Sequence, residues 1–322
     1  MRHIPIDAIT DAAHHVYTAA VRTPLIKLDL PTAAGGPEVY LKLESLQPIG
    51  SFKIRGAWNA VRKLTPEQLK DGVWTVSAGN AAQGVALAAK LAGVPCSVMM
   101  IETAPQTKFD AVARLGAKIV KASYDECWRT AEAHASPIMR GHFVHPFDDD
   151  DFIAGNGTAG LEILEDLPDV DVVVAALGGG GLLGGIGSAI RAKKPGVRIY
   201  AAEPETAAPM SLSLKRGEAS RFEGWQASFV DGAGGKSVLP TMWPLLRSVV
   251  DDSIVVPLAD VASAMNRAAE RVHVVAEGAG GTAIAAALSG RAGTGKIVAV
   301  VSGGNIDLGK FAELVASGPL HV

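Results

Sequence analysis

At 322 residues, 48% of them hydrophobic, the chain is long enough for one large domain or two smaller ones with substantial cores. A formal charge of -3 with no basic run excludes a general attraction to nucleic acid or to an anionic membrane surface. Cys96 and Cys127 have no metal-ligand spacing, which argues against a zinc cluster or a disulfide framework and for a reducing cytoplasm.

Met1 to Ala20 carries His3, Asp7, Asp11, His14 and His15 where a signal peptide needs an apolar core, so a soluble, unsecreted protein is expected. Ile6 to Ala20 reads as an amphipathic helix, stopped at Pro24. Val39 to Glu44 alternates as a strand does, and the turn Pro48 to Ser51 leads into a helix expected from about Arg55 to Leu64. Lys53 therefore falls at a strand-to-helix junction. Short apolar strands then alternate with helices: Val73 to Val76 before Ala81 to Ala92, Cys96 to Ile101 before Pro105 to Leu115, and Lys118 to Val120 before Tyr124 to Ala135. His142 to Asp151 reads as a loop. The alternation resumes with Val170 to Ala176, Leu182 to Lys193, Arg198 to Ala202 and Ile297 to Val301. Such a pattern predicts an α/β protein of two lobes, each a mostly parallel sheet flanked by helices.

Three glycine-rich segments follow apolar strands, where a parallel sheet places its ligands. Gly178, Gly179, Gly180 and Gly181, followed by Leu182, exceed what a turn requires; their N–H groups and the helix start suit a phosphate. A dinucleotide motif can also be drawn through Gly179 to Gly184, with Glu203 as its acidic partner, and this segment alone leaves that choice open. Ser77-Ala78-Gly79-Asn80-Ala81 either caps a helix or holds a substrate carboxylate. Ser302 either forms a turn or donates to a heteroaromatic nitrogen. Asp148 to Asp151 read as solvated or capping acids, His142 and His145 as structural, and Trp225 and Trp243 as packing or interface residues.

Taken together, Arg22-Thr-Pro-Leu25, Lys42-Leu-Glu44, Gln47-Pro48, Gly50-Ser-Phe-Lys-Ile-Arg-Gly-Ala57, Ser77 to Asn80, Gly155-Asn-Gly-Thr158, the glycine run, Asp231-Gly232, Glu277-Gly-Ala279 and Ser302 to Asp307 resemble the fold-type II pyridoxal-phosphate enzymes, in particular serine/threonine dehydratases and serine racemases. The resemblance covers nearly the whole chain. It implies a two-domain fold like the tryptophan synthase β-subunit, with residues 1–70 and 150–322 as a large cofactor domain and 71–149 as a small substrate-closing domain. It implies Lys53 as the Schiff-base lysine, with Phe52 beside the ring and Asn80 at the phenolic oxygen. Gly178, Gly179, Gly180, Gly181 and Leu182 would hold the phosphate, Ser302 would face the pyridine nitrogen, and Glu277 would belong to the cofactor site. Ser77, Ala78, Gly79, Asn80 and Ala81 would hold the substrate, and a homodimer is implied.

Against the family's pattern, Ala78 stands where racemases have a serine that moves a proton, and Ala81 where a histidine is common. Pro209 replaces the second carboxylate of a monovalent or divalent cation site, leaving Glu203 and the Ala207 carbonyl as its remaining candidates. The chain also ends soon after Asn305, which implies no regulatory domain of the kind found in biosynthetic threonine dehydratases. The expected activity is dehydration and deamination of a 3-hydroxy-L-amino acid, such as L-threonine or L-serine, in the cytoplasm. The alternatives are a serine/aspartate-type racemase, a 3-hydroxyaspartate or phenylserine dehydratase, a β-replacement enzyme and a non-catalytic binder of the cofactor or of an amino acid.

Overall fold

The computed structural model describes residues 2–29 and 36–316. Among the described residues ten strands form two sheets. The first six in chain order are β1 (Leu25–Lys27), β2 (Glu38–Lys42), β3 (Val73–Val76), β4 (Cys96–Ile101), β5 (Lys118–Ala122) and β6 (His142–Phe143). They are followed by β7 (Val172–Ala176), β8 (Arg198–Pro204), β9 (Asp252–Val256) and β10 (Lys296–Val300). One sheet runs β1-β2-β10-β7-β8-β9, parallel except for β1 on β2; the other runs β5-β4-β3-β6, parallel throughout.

The central strand β7 is buried along its whole length, as its unbroken run of Val and Ala demands of a sheet covered on both faces. Its residues alternate between two cores. Val173 and Ala175 join one with Ile153, Leu183 and Ile186, whereas Val172, Val174 and Ala176 join the other with Met265, Ala283 and Ile284. The four-stranded sheet has its own core, in which Val73, Val98 and Met100 meet Ala82, Val85 and Ala89 of the helix Asn80–Ala92. The helix Lys53–Arg62 contributes Ala57, Ala60 and Val61 to that third core, and Gly56 brings it onto Phe152 of the helix Asp150–Asp166. It therefore lies between the two sheets.

Element boundaries differ from the sequence expectation where local chemistry is silent. The first helix ends at His15 and tightens into a 3-10 turn over Val16–Thr18, short of Ala20. The helix expected from Arg55 begins at Lys53 itself. Within the supposed loop 142–151, two residues pair as β6, too few to produce an alternation signal, and Asp149 caps a helix by accepting from the Phe152 N–H at 2.8 Å. Among the described residues no helix is long and apolar enough to cross a membrane.

Candidate active site

The lysine junction is tied to the end of β10 by backbone pairing. Phe52 N–H donates to the Ser302 carbonyl at 3.0 Å, Gly304 N–H donates to the Gly50 carbonyl at 2.9 Å, and Ser51 bridges Gly303. Gly50 sits at φ +69°, and a Cβ there would come within 2.6 Å of Asn305 Oδ1, so both conformation and space call for glycine. Lys53 follows as the first residue of its helix, with Nζ donating to the Pro146 carbonyl at 2.5 Å. Its ammonium lies 5.2 Å from the Phe52 ring and 5.4 Å from the Phe152 ring. Burial pushes it down to about 8, against the opposing pull of Glu277.

Asn80 begins the helix Asn80–Ala92, which has no side-chain cap and so leaves its first N–H groups available. Its Nδ2 donates to Glu277 Oε1 at 2.8 Å, while its Oδ1 accepts from Asn305 Nδ2 at 2.7 Å. Asn305 also donates to the Ile49 carbonyl at 2.7 Å, linking this chain of amides to the lysine turn. Glu277 is buried, and burial followed by Asp231 pushes its carboxyl up to about 8, against Asn80 and Lys108. Gly303 passes so close that a Cβ there would lie 2.5 Å from Glu277 Oε1. Ser77 Oγ accepts from the Gly79 N–H at 3.1 Å, Gly79 faces open space, and Ala81 is buried. Ala78 leans on the core of the four-stranded sheet. Ser302 is buried at the exit of β10.

Gly178 to Gly181 connect β7 to the helix Gly181–Lys193, with Gly180 at φ +90° as an N-cap lacking any side-chain bond. Added Cβ atoms would come 2.5 Å from the Gly232 carbonyl at Gly178 and 2.2 Å from the Phe147 ring at Gly179. Leu182 is buried in the first core.

Beneath the lysine lies a network that sequence reading did not assemble. Arg55, fully buried, donates to both oxygens of Glu44 at 2.7 Å, to Glu162 at 2.6 and 3.0 Å, and to Thr158 Oγ1 at 3.1 Å. Lys42 pairs with Glu162 at 2.6 Å and donates to the Thr23 carbonyl, and Thr23, Gln47 and Tyr17 complete the carboxylates' bonds. Thr23, Lys42, Glu44, Gln47, Arg55 and Thr158 all belong to the motif words, yet they meet each other rather than the site. Pro146 and Phe147 were also missed, since a proline and a phenylalanine in a polar loop give no chemical signal.

The cation candidate has a different occupant. Glu203 is buried, and its oxygens accept from Met210 N–H at 2.7 Å, Ser211 N–H at 2.8 Å and Ser253 Oγ at 2.6 Å, so it caps the helix Pro209–Arg216. Ala207 is buried beside it. Among the described residues, no group of three or more His, Cys, Asp or Glu side chains is arranged to hold a metal ion.

The family model for pyridoxal-phosphate dependent enzymes matches residues 16–303. The chain belongs to that family. An L-threonine ammonia-lyase of Thermotoga maritima is 40% identical over 318 residues, covering 98% of this chain and 79% of that protein. A catabolic L-threonine dehydratase of Staphylococcus aureus is 36% identical, covering 92% of this chain and 88% of its own. Among solved structures, maize serine racemase superposes with a TM-score of 0.88 at 34% identity, covering 97% of each chain.

As a member of the pyridoxal-phosphate family the chain uses that cofactor, and its residues fit the group. The glycine loop is a cradle that side chains would fill, opening on an uncapped helix start suited to a phosphate dianion. Lys53 supplies an amine whose burial favours the uncharged, nucleophilic form. The acidic partner required by the dinucleotide alternative is absent, because Glu203 is spent on capping.

Proposed function

We propose that this chain dehydrates and deaminates a 3-hydroxy-L-amino acid, L-threonine or L-serine, giving a 2-oxo acid and ammonia. The observation that carries the reading is the Lys53 amine, lowered to about 8 by burial and tied through the lysine turn to the end of β10, in a chain 40% identical to an L-threonine ammonia-lyase. The glycine loop Gly178 to Gly181 and the N–H of Leu182 would hold the cofactor phosphate, with Asn80 placed to donate to its phenolic oxygen and the Ser302 hydroxyl to meet its ring nitrogen. When bound, pyridoxal phosphate withdraws electrons from the substrate's Cα. The Lys53 amine would take the proton from the substrate's Cα as a general base. Ser77, Asn80 and the Ala81 N–H orient the carboxylate, and the unit 71–149 closes over the substrate and excludes water. Glu277 anchors Asn80. The enzyme acts as a cytoplasmic homodimer without nucleic-acid or membrane partners.

Likeness to a serine racemase motivates the second reading. Ala78 weighs against it, because a methyl group carries no proton and leaves Lys53 to work from one face. Product analysis decides: L-threonine or L-serine should yield 2-oxo acid and ammonia in equal amounts, whereas D-isomer without ammonia makes the racemase the correct reading. A panel including 3-hydroxyaspartate and phenylserine, repeated with Ala81→His, reads the substrate preference. Activity confined to those larger substrates would reject L-threonine and L-serine.

A further inference from the structure

The segment Val144 to Asp149 carries the chain from β6 back to the helix Asp150–Asp166. Within it His145 is only 3% exposed. Its Nδ1 accepts two backbone N–H groups, Asp148 at 2.8 Å and Phe147 at 3.3 Å, closing a tight turn around the Pro146 peptide. The Pro146 carbonyl is the acceptor for Lys53 Nζ. The Phe147 ring lies directly on the glycine loop, where a Cβ at Gly179 would meet it at 2.2 Å. On its other side the imidazole packs against His134 and Phe143, with centroids 4.6 and 5.7 Å away. Phe143 belongs to β6 and His134 follows the helix Tyr124–Ala133, so both come from the four-stranded side.

We propose that His145 is a positioning residue for the reaction: with Nδ1 unprotonated it closes the turn that sets the Pro146 carbonyl and the Phe147 ring, and so aligns the Lys53 amine with the glycine loop. The inference rests on the assignment of Lys53 as the reactive lysine.

A histidine serving only to fill a core would not need its lone pair aimed at two consecutive backbone N–H groups. Those groups lie outside any strand, and an apolar side chain would leave both without an acceptor, a cost of about 1–3 kcal/mol for a buried polar group. The ring must be neutral for this, since a doubly protonated imidazole accepts nothing. Burial, then His134, with a smaller contribution from Lys53, push it down to about 4, against Asp148. Nε2 is buried and has no partner at hydrogen-bond distance among the described residues, and the Ala131 carbonyl is the backbone group that favours a proton on the ring. The proton of the neutral ring therefore sits on Nε2. Displacing a reactive group by about 1 Å can cost on the order of 100-fold in rate, so a turn that fixes the carbonyl accepting from Lys53 Nζ has leverage far beyond its own stability.

Nitrogen NMR of the ¹⁵N-histidine-labelled wild-type apoprotein should find His145 at neutral pH with Nε2 protonated and Nδ1 bare; a proton on Nδ1 would overturn the proposal without any substitution. Two variants then separate position from mere polarity. His145→Asn keeps an acceptor where Nδ1 lies, and His145→Gln moves it toward the place of Nε2. The readout is the rate at which apoprotein captures added pyridoxal phosphate covalently, followed as borohydride-fixed label mapped to its peptide. His145→Asn should stay within about threefold of wild type and His145→Gln should fall about tenfold or more, the loss of one to two hydrogen bonds' worth of alignment. Equal rates in the two variants would reject the role. Label on a lysine other than Lys53 would instead overturn the lysine assignment, a result distinct from the first because the NMR tautomer and the Asn/Gln contrast do not depend on it.

Discussion

Lys53 and Arg55 stand two residues apart on one helix, about 200° around its axis, and enter opposite environments. Both are cations drawn out of bulk water, Arg55 fully and Lys53 in part. Arg55 meets two carboxylates, a hydroxyl and a carbonyl, and with Lys42 it balances Glu44 and Glu162 charge for charge. Burial lowers the guanidinium's affinity for its proton, and Glu44 and Glu162 more than restore it. Lys53 has one carbonyl, two aromatic rings and a more distant Glu277, so burial prevails and the amine moves toward neutrality. A cation withdrawn from water thus becomes a fixed charge or an amine ready to lose its proton according to how many opposite charges accompany it. The bridging helix uses the first to hold the second still.

Removing either cation tests this difference, and the largest effect should come from the silent one. Arg55→Met leaves Glu44 and Glu162 buried with Lys42 as their remaining cation, and should cost about 3–5 kcal/mol in urea unfolding of the apoprotein. Lys53→Met removes a poorly paired amine and strands no carboxylate in contact, so its loss should stay within about 1 kcal/mol while covalent capture of the cofactor disappears. Similar stability losses in the two variants would break the comparison.

A smaller effect is expected where the glycine loop meets Phe147. Gly179→Ala drives a methyl into the ring, 2.2 Å from Cγ, and should cost about 1–3 kcal/mol of stability as an overpacked contact. Cofactor affinity measured by equilibrium dialysis should fall with it. Combining it with Phe147→Ala should recover part of the stability, because the two changes share one volume. Additive losses would mean that the ring does not support the loop.

Much of this was legible from the chain and some was not, for physical reasons. The αβ alternation yields two parallel-rich sheets because buried parallel strands are continuous apolar runs, as in Val172 to Ala176. Lys53, Asn80, Ser302 and the glycine run could be singled out because each sits beside glycine or a strand end, where backbone approaches a ligand. The Arg55 network could not, since its partners lie as far as 107 residues apart and Glu162 on a helix reads as one more solvated acid. Ala78 and Ala81 carry information only by contrast with the family. Glu203 reads as a cation ligand or as the acidic partner of a dinucleotide motif until the Met210 and Ser211 N–H groups are seen on it.

Glu203 also provides the finest test, because it is buried with three neutral donors and no cation. Burial pushes its carboxyl up to about 7, while Ser253, Met210 and Ser211 pull the other way. Its folded value thus lies above the ordinary 4.5, so between these limits the folded state binds more protons than the unfolded chain. The stability it contributes is complete below about pH 4.5 and is lost as pH rises through about 7, by at most about 1.4 kcal/mol per pH unit. Glu277, raised to about 8, acts in the same sense, whereas Lys53, lowered from 10.5 to about 8, makes stability rise with pH between those values. Subtraction isolates the cap: Glu203→Gln cannot titrate, and the cost of its misplaced amide donor is independent of pH. The stability difference, wild type minus Glu203→Gln, should therefore shrink by about 1 kcal/mol per unit from about pH 5 to pH 7 in urea unfolding, and a constant difference would show that neutral donors alone keep a buried carboxylate ionised.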